Sequence, residues 1–309
     1  MAATETGKPV VGFVGVGLMG WGMAKNVVEK GWPLRVIAHR KREAVNDLVG
    51  RGAVEVSSLS DMAEQCDVVA LCVTGAPQVQ ATVEGLVGEG REGGRLRAII
   101  DTSTSEPEVT ALLATEMAAR GLTLIDAPLS RTPSHAWDGE LTTYVAGDAA
   151  ARDEWRGLLG AWASVVIDVD GPAGAAHAFK LINNSIAVGY AAVWSEAFAM
   201  VKRLGADPNT LREIVTNSGM NCGNFQNFAK YPCEGVPDAH KFALVNCLKD
   251  ITYYSRMADA KGSVRLVSAG VAEALKAGVN LGMGEKMMPQ MSDIFAALNG
   301  DEPWGEDKA

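Results

Sequence analysis

The sequence lacks several features that would place it in whole classes of protein. No apolar run approaches the roughly 20 residues that a membrane-spanning helix needs. The first eight residues lack the basic segment and apolar core of a signal peptide. The four histidines show no metal-ligand spacing, and the five cysteines form no C-x-x-C pair. These absences predict a cytoplasmic protein with reduced cysteines and no metal centre.

The chain also has no excess of positive charge. Its 309 residues carry a net charge of -9, which makes broad binding to nucleic acid or to an anionic membrane an unfavourable hypothesis. Hydrophobic residues make up 48% of the chain, enough to form a substantial core. The length allows two domains of ordinary size.

What is present near the N-terminus is an apolar run that ends in spaced glycines. Gly15, Gly17 and Gly20 follow the G-x-G-x-x-G pattern, and a helical pattern begins directly after them. In such a motif the first glycine allows a tight turn, the second a close approach of a pyrophosphate, and the third close packing of helix and strand. A glycine turn without a ligand is the alternative. The predicted dinucleotide contacts are Gly15, Gly17, Leu18 and Met19.

The residues after the second predicted strand, Leu34 to Ala38, bear on the choice of cofactor. An NAD site has an acidic residue there that binds the ribose 2′-hydroxyl. This chain instead has a basic run from His39 to Arg42, and its first carboxylate is Glu43. A 2′-phosphate prefers cationic partners, so we predict NADP rather than NAD. The alternative is a basic, solvent-exposed helix start. The predicted 2′-phosphate contacts are His39, Arg40 and Lys41.

Predicted strands and helices alternate as far as Val169. This alternation predicts a doubly wound α/β sheet with parallel strands and with ligands at their carboxyl ends. Residues that follow two of these strands are therefore candidate cofactor contacts, although serine and threonine there also serve as ordinary helix caps. The segment from Asp126 to Glu140 contains two prolines, and we predict a polar loop at the site. The candidate contacts are Val73, Thr74 and Thr104.

The second half of the chain has a different texture. One helical pattern without proline runs from Ala173 to Leu204, which predicts a helix of about 45 Å that joins two domains. Only helices are predicted beyond it, including Ala239 to Ala260 and Lys286 to Leu298. The predicted organisation is an NADP-binding Rossmann-type domain over 8–171, the interdomain helix over 172–204, an all-helical domain over 205–300 and a loose acidic tail over 301–309.

Lys180 and Asn184 lie four residues apart near the start of the long helical pattern. At that spacing both side chains are on one face of the helix, in apolar surroundings. A partly desolvated lysine can serve as a general acid or base, and the asparagine can orient it or bind a hydroxyl. Alternatively, the two side chains only tie the helix to a loop. His177 lies one turn before Lys180, and His135 lies in the predicted substrate loop.

The chain resembles the β-hydroxyacid dehydrogenase family, which includes 3-hydroxyisobutyrate dehydrogenases, tartronate semialdehyde reductases and glyoxylate/succinic semialdehyde reductases. Four segments carry the resemblance in the family's order: Gly12 to Gly20, Asp126 to Ser130, Gly174 to Asn184, and Lys249-Asp250. The resemblance implies an N-terminal Rossmann domain, a long interdomain helix, an all-α C-terminal domain and an active site between the domains. Homodimers or homotetramers are the expected assemblies.

The resemblance also implies roles for individual residues. Lys180 would give and take the proton at the substrate oxygen, Asn184 would hold the substrate and Lys180 in place, and Ser130 would bind the acidic group or hydroxyl of the substrate. The implied reaction is reduction of a small anionic aldehyde to its hydroxyacid, with hydride from nicotinamide and no metal. The implied contacts in the helical domain are Phe242 and Lys249 to the cofactor and Asp250 to the packing of the helices.

The chain departs from the family pattern directly after Ser130. Arg131-Thr132 replaces the usual Gly-Gly pair, whose amides receive a carboxylate. The Arg-Thr pair is similar to that of sulfolactaldehyde reductases, where it faces a sulfonate, so a sulfonated aldehyde is the first alternative. A non-catalytic NADP-binding sensor is the second. A polar stretch from Asn221 to Phe225 is predicted to close the pocket and to supply the substrate contacts Asn221 and Phe225; the alternative is a simple loop.

Overall fold

The computed structural model describes residues 7–39, 42–88 and 94–305. The chain divides into two compact units, residues 1–180 and 181–309. The main sheet of the first unit has six parallel strands in the order β3-β2-β1-β4-β5-β6. Its strands are β1 (Val11–Val14), β2 (Leu34–Val36), β3 (Val54–Glu55), β4 (Val68–Leu71), β5 (Ala98–Asp101) and β6 (Thr123–Asp126).

Helices cover both faces of this sheet because its central strands are apolar on both sides. Every residue of β4 and β5 is buried. One face packs on α1, α2 and α7 around Phe13, and the other packs on α3, α4 and α5 around Val69. The predicted doubly wound α/β class is confirmed. The helices are α1 (Gly20–Glu29), α2 (Glu43–Gly50), α3 (Leu59–Gln65), α4 (Ala76–Val87), α5 (Pro107–Ala119), α6 (Pro133–Asp138) and α7 (Ala149–Trp162).

A second, three-stranded sheet follows the first and was not predicted. It contains β7 (Leu129–Ser130), β8 (Leu141–Val145) and β9 (Ala163–Asp168), with β7 antiparallel and β9 parallel to β8. The predicted loop from Asp126 to Glu140 is therefore wrong, because the segment holds β7 and the short helix α6. Pro133 opens that helix at a position where the missing N–H is not needed.

The long helix is close to its prediction. α8 (Ala175–Arg203) has 29 residues and crosses from the first unit into the second. The other helices of the second unit surround a core that includes Trp194, Phe198, Phe225 and Phe228. They are α9 (Pro208–Thr216), α10 (Gly223–Glu234), α11 (Leu244–Ala260), α12 (Leu266–Gly278) and α13 (Met291–Asn299).

Two predicted helices begin later than expected, for one shared reason. α11 begins at Leu244 rather than Ala239, and α13 begins at Met291 rather than Lys286. The segments before them cross as an isolated β-bridge, with the Leu244 amide donating to Lys286 O at 2.8 Å and the Met288 amide to Phe242 O at 2.8 Å. Because these backbone groups bond the opposite segment, they do not form the hydrogen bonds of a helical turn, and each helix begins after the bridge.

The start of the predicted loose tail is held in place. Arg203 Nε lies 3.0 Å from Asp301 Oδ2, and the Trp304 amide donates to Asp293 Oδ1 at 3.1 Å. The Trp304 ring packs edge-on against Phe198, with ring centroids 6.0 Å apart. Residues 301–305 therefore pack on the second unit, contrary to the prediction.

Candidate active site

The glycine turn after β1 has the form that a dinucleotide phosphate requires. Gly15 has a φ of +97°, and a Cβ there would lie 2.2 Å from the carbonyl oxygen of Cys72. A Cβ on Gly20 would lie 1.9 Å from Gly15 O, whereas a Cβ on Gly17 would meet nothing within 4 Å. The start of α1 carries no acidic residue in its first turn and no side-chain cap. A negative phosphate group therefore fits against Gly17 and the start of α1.

The turn lies where the strand order reverses. β1 pairs with β2 on one side and with β4 on the other, which is the point where open α/β sheets bind ligands. Val73 and Thr74 follow β4 at this edge, and Thr104 follows β5. The Val73 amide donates to Ser103 Oγ at 3.0 Å, so the buried Ser103 hydroxyl ties the two strand ends together.

The neighbouring thiol is not a nucleophile in this arrangement. Cys72 follows β4 directly and touches the glycine turn through its carbonyl oxygen. Burial raises the pKa of the Cys72 thiol to about 11. The thiol is therefore neutral near pH 7, and only the thiolate is reactive.

The predicted 2′-phosphate contacts are only partly visible. His39 is exposed beyond the end of β2. Arg40 and Lys41 lie outside the described residues. Arg42 Nη2 lies 2.8 Å from Glu55 Oε2 on β3, so this guanidinium is paired with a carboxylate.

The predicted substrate serine ends a strand of the second sheet. Ser130 is the last residue of β7, and its Oγ lies 2.8 Å from the hydroxyl of Tyr144 on β8. Tyr144 is a candidate that sequence reasoning missed. Nothing in the chain near Tyr144 signals this contact, because it depends on the antiparallel pairing of β7 with β8.

Arg131 has an unusual backbone conformation. Its φ of +83° makes it the one non-glycine residue with positive φ among the described residues. Its Nη1 donates to Glu140 O at 3.1 Å, which places the guanidinium beside its own loop. Thr132 Oγ1 lies 2.7 Å from Nδ1 of His135 on α6. The three predicted residues Ser130, Arg131 and Thr132 are thus each held by a second group of the same loop or sheet.

The helical unit supplies a separate charged cluster. Asn184 on α8 is buried, and its Nδ2 donates to Asp250 Oδ2 on α11 at 2.6 Å. Lys249 Nζ lies 2.8 Å from Asp250 Oδ1 and 5.0 Å from the centre of the Tyr253 ring. Lys180 lies one helical turn before Asn184 on α8. Asp250 therefore holds the side-chain amide nitrogen of Asn184, and the carbonyl oxygen of that amide faces away from this carboxylate.

Other predicted contacts in this unit are placed differently. Phe225 is 1% exposed inside α10, edge-on to Trp194 at 5.4 Å, so it belongs to the core and its predicted substrate contact is wrong. Asn221 is exposed, and its side chain bonds Thr216 O and Gln226. Phe242 is half-buried before α11, stacked on His240.

The described residues offer neither a metal site nor a membrane-spanning helix. Within 7–39, 42–88 and 94–305, no group of three or more His, Cys, Asp or Glu side chains could hold a metal ion. In the same ranges, no helix combines the length and the apolar character needed to cross a membrane. The five cysteines are all free thiols.

Two family models match the chain and together span most of it. Residues 10–171 match the NAD binding domain of 6-phosphogluconate dehydrogenase. Residues 174–294 match the model described as NAD-binding of NADP-dependent 3-hydroxyisobutyrate dehydrogenase. The first match alone covers more than half of the 309 residues.

Individual proteins match over similar lengths. Mitochondrial 3-hydroxyisobutyrate dehydrogenase of Bos taurus is 33% identical over 76% of this chain and 70% of its own. The 3-sulfolactaldehyde reductase of Escherichia coli is 29% identical over 70% of this chain and 72% of its own. The crystal structure of 3-hydroxyisobutyrate dehydrogenase from Salmonella typhimurium superposes with a TM-score of 0.82 at 25% identity, covering 93% of this chain and 100% of that one.

Proposed function

The chain belongs to the β-hydroxyacid dehydrogenase family and is an NAD(P)-dependent hydroxyacid dehydrogenase; from this premise we propose that it reduces small anionic aldehydes with NADPH. The observation that carries the proposal is the pair Lys180 and Asn184, one turn apart on α8, with Asn184 held by a buried carboxylate. A non-catalytic sensor would have no use for a proton-transfer lysine beside an oriented amide.

The residues divide the work in a simple way. A bound nicotinamide supplies the hydride, and the glycine turn with the start of α1 holds the pyrophosphate. Lys180 Nζ donates a proton to the aldehyde oxygen as the alcohol forms. Asn184, with its Nδ2 on Asp250, presents its carbonyl oxygen to the substrate hydroxyl or to Lys180. Ser130 binds the anionic end of the substrate with Tyr144 as its partner.

The preference for NADPH is supported by sequence and family together. The basic run from His39 to Arg42 has no carboxylate before Glu43, and the C-terminal half matches a model described as NADP-dependent. The test is kcat/KM with NADPH and with NADH on one substrate. Replacement of Arg40 by Asp should reverse the preference, and an unchanged ratio would remove this part of the proposal.

The central experiment follows NADPH consumption with wild type and Lys180→Ala. The substrates would be glyoxylate, succinic semialdehyde, tartronate semialdehyde, methylmalonate semialdehyde and sulfolactaldehyde. We expect Lys180→Ala to lose about 10³-fold in kcat, the usual contribution of general acid catalysis, while NADPH still binds. Lys276→Ala, on α12, is the matched control and should match wild type. Equal turnover by Lys180→Ala and wild type would disprove the role of the lysine.

A sulfonated aldehyde is the second candidate substrate, and one observation favours it. Arg131 keeps a left-handed backbone that glycine would adopt without strain, and such strain of about 1–3 kcal/mol persists mostly at functional sites. The similarity to 3-sulfolactaldehyde reductase points the same way. Arg131→Gly should lower kcat/KM for sulfolactaldehyde at least tenfold and leave carboxylate substrates within about threefold. Equal losses on both classes would contradict sulfonate recognition.

Self-association is supported by an apolar stripe on α8. Phe179, Ile186, Val193 and Met200 recur every seven residues and are 54–59% exposed. A seven-residue apolar repeat is typical of a helix that packs on another helix. We expect a homodimer or homotetramer in sedimentation, and a Val193→Asp variant should shift it towards monomer. The free cysteines support a reducing, cytoplasmic location.

A further inference from the structure

A buried polar cluster lies beneath the first turn of α8 and has no part in the mechanism above. His177, Asp101 and Asp126 are each 0% exposed. They come from three elements, because Asp101 ends β5, Asp126 ends β6 and His177 is the third residue of α8. Polar groups buried this deeply need partners, so the bonds of the cluster show what it holds together.

Both ring nitrogens of His177 are engaged. Nε2 lies 3.1 Å from the carbonyl oxygen of Ser103, and a carbonyl can only accept, so Nε2 carries a proton and donates it. Nδ1 lies 2.8 Å from Thr110 Oγ1 on α5. The imidazole is therefore fixed from two sides by two different elements.

Asp126 fixes the backbone of the same turn. Its Oδ1 accepts from the Gly174 amide at 2.9 Å, and its Oδ2 accepts from the His177 amide at 2.8 Å. A carboxylate at this position accepts hydrogen bonds from two amides at the start of α8, and its negative charge interacts favourably with the positive end of the helix dipole. The first turn of α8 is thus attached to β6 through its backbone and to β5 through His177.

The same hydrogen bonds extend to the cofactor edge of the sheet, which is the edge at the carboxyl ends of β4 and β5 where the cofactor is predicted to bind. Ser103, which accepts from His177 through its carbonyl, also accepts the Val73 amide through its hydroxyl at 3.0 Å. Val73 follows β4, beside the glycine turn. Lys180 stands three residues after His177, so the same turn of helix carries the lysine. A continuous set of bonds therefore joins the turn that bears Lys180 to the ends of β4, β5 and β6.

We propose that His177 is a positioning residue that holds the turn bearing Lys180 against the cofactor edge of the sheet. The inference rests on the proposed role of Lys180 in proton transfer. A displacement of about 1 Å in a reacting group can cost about 10² in rate, so a tether of this kind has a measurable effect.

Two carboxylates also face the imidazole ring, beyond hydrogen-bond distance. Asp101 Oδ2 faces His177 Nε2 at 3.9 Å from β5, and Asp126 Oδ2 faces Nδ1 at 3.8 Å from β6. The group that faces the ring from α5 is the uncharged Thr110. Burial raises the pKa of the Asp101 carboxyl, and His177 opposes this rise. Removal of the imidazole changes the electrostatic field one turn from Lys180, so the pH profile of the reaction should change with it.

The test compares His177→Leu, His177→Gln and a matched pair of threonine variants. Thr110 and Thr82 both donate to the carbonyl four residues earlier in a helix, but only Thr110 contacts His177. We expect His177→Leu to lower kcat about 10–100-fold with the KM for NADPH within about threefold. His177→Gln keeps a donor for Ser103 O and should retain most activity. Thr110→Val should shift the pH profile of kcat, and Thr82→Val should match wild type.

A second readout does not depend on turnover. Lysines are reductively methylated with ¹³C-formaldehyde, and the Lys180 resonance is assigned by its loss in Lys180→Arg. Its shift and titration should move in His177→Leu and Thr110→Val but not in Thr82→Val. An unmoved resonance and unchanged kcat in a less stable His177→Leu would overturn the inference, leaving a structural role alone. If wild type turns over no substrate, the proposed function fails, and the resonance still decides the inference.

Discussion

Two carboxylates hold α8 on either side of Lys180, and they hold different parts of it. Asp126, at the end of β6, accepts hydrogen bonds from the backbone amides of Gly174 and His177 at the start of the helix. Asp250 bonds the side-chain amide of Asn184, four residues after the lysine. Both carboxylates are almost fully buried, at 0% and 2% exposure.

The two carboxylates therefore hold two kinds of group on one helix, backbone amides and a side-chain amide. A carboxylate on backbone amides stabilises the helix start whichever side chains follow, since every residue but proline offers the same N–H. A carboxylate on an asparagine side chain fixes the orientation of one functional group. Loss of the Asp126 carboxylate should therefore lower stability first, and loss of the Asp250 carboxylate should lower activity first.

The largest expected effect is on the stability of the protein and comes from the loss of the Asp126 carboxylate. Asp126→Ala leaves two buried amides without an acceptor, at about 1–3 kcal/mol each, so the free energy of unfolding should fall by about 4 kcal/mol. Urea unfolding measures this change. Asp148→Ala is the control, because Asp148 caps α7 at an exposed site, and it should cost only about 1 kcal/mol. Similar losses in both variants would end the distinction drawn here.

The next largest effect is on activity and comes from the loss of the Asp250 carboxylate. Asp250→Asn removes the charge that holds Asn184 Nδ2, and hydrogen bonds to charged groups contribute about 2 kcal/mol. We expect about a 30-fold loss in kcat for aldehyde reduction with a folded protein. Asp293→Asn removes a buried carboxylate elsewhere in the same unit, bonded to Tyr231 and Lys286, and should affect stability only. A greater loss of activity in Asp293→Asn would refute the assignment.

A smaller effect should appear in the pH dependence of stability. Burial raises the folded-state pKa of Asp101, so the folded protein holds a proton more tightly than the unfolded chain. Its contribution to stability is then present at low pH and lost as pH rises from about 4 through the raised pKa. Asp101→Asn should gain stability relative to wild type over that window in urea unfolding.

Asp47 provides the opposite sign for comparison. Hydrogen bonding to Arg51 lowers the pKa of the Asp47 carboxyl, so its contribution is present above the unfolded pKa and lost as pH falls. Asp47→Asn should therefore lose stability relative to wild type as pH rises. The same sign in both variants would contradict the buried-carboxylate account of Asp101.

The smallest expected effect is on the KM for the aldehyde and comes from the loss of an uncharged hydrogen-bond partner of Ser130. Tyr144→Phe removes the partner of Ser130, a hydrogen bond between uncharged groups that contributes about 1 kcal/mol. The KM for the aldehyde should rise about fivefold with little change in unfolding. Tyr254→Phe, on α11, serves as the control. A KM unchanged in Tyr144→Phe would show that the tyrosine does not act through Ser130.

Much of the first unit could be predicted from sequence because its signals are local. Glycine spacing after β1, apolar strands and alternating helices give the doubly wound sheet, and one unbroken pattern gives α8 within two residues at its start. The prolines after Asp126 were misleading. Pro133 begins a helix, where its fixed φ is an advantage, and the sequence pattern alone does not separate that role from a loop.

The side-chain contacts of the site could not be predicted from the sequence, for a different reason. Asp250 and Asn184 are 66 residues apart in the sequence, so no local pattern signals their contact. Phe225 was misassigned because Asn221 to Gly223 is polar, whereas Cys222 caps a helix that carries Phe225 into the core. Local polarity predicts exposure for the cap but not for the residue three positions later.

The left-handed backbone at Arg131 also bears on how the substrate range of this enzyme can evolve. The loop already has the shape that glycine prefers, so an exchange of arginine for glycine would leave its path unchanged and would relieve strain. Under the proposed role of Arg131, this one exchange changes the specificity for the anionic group without rebuilding β7 or α6.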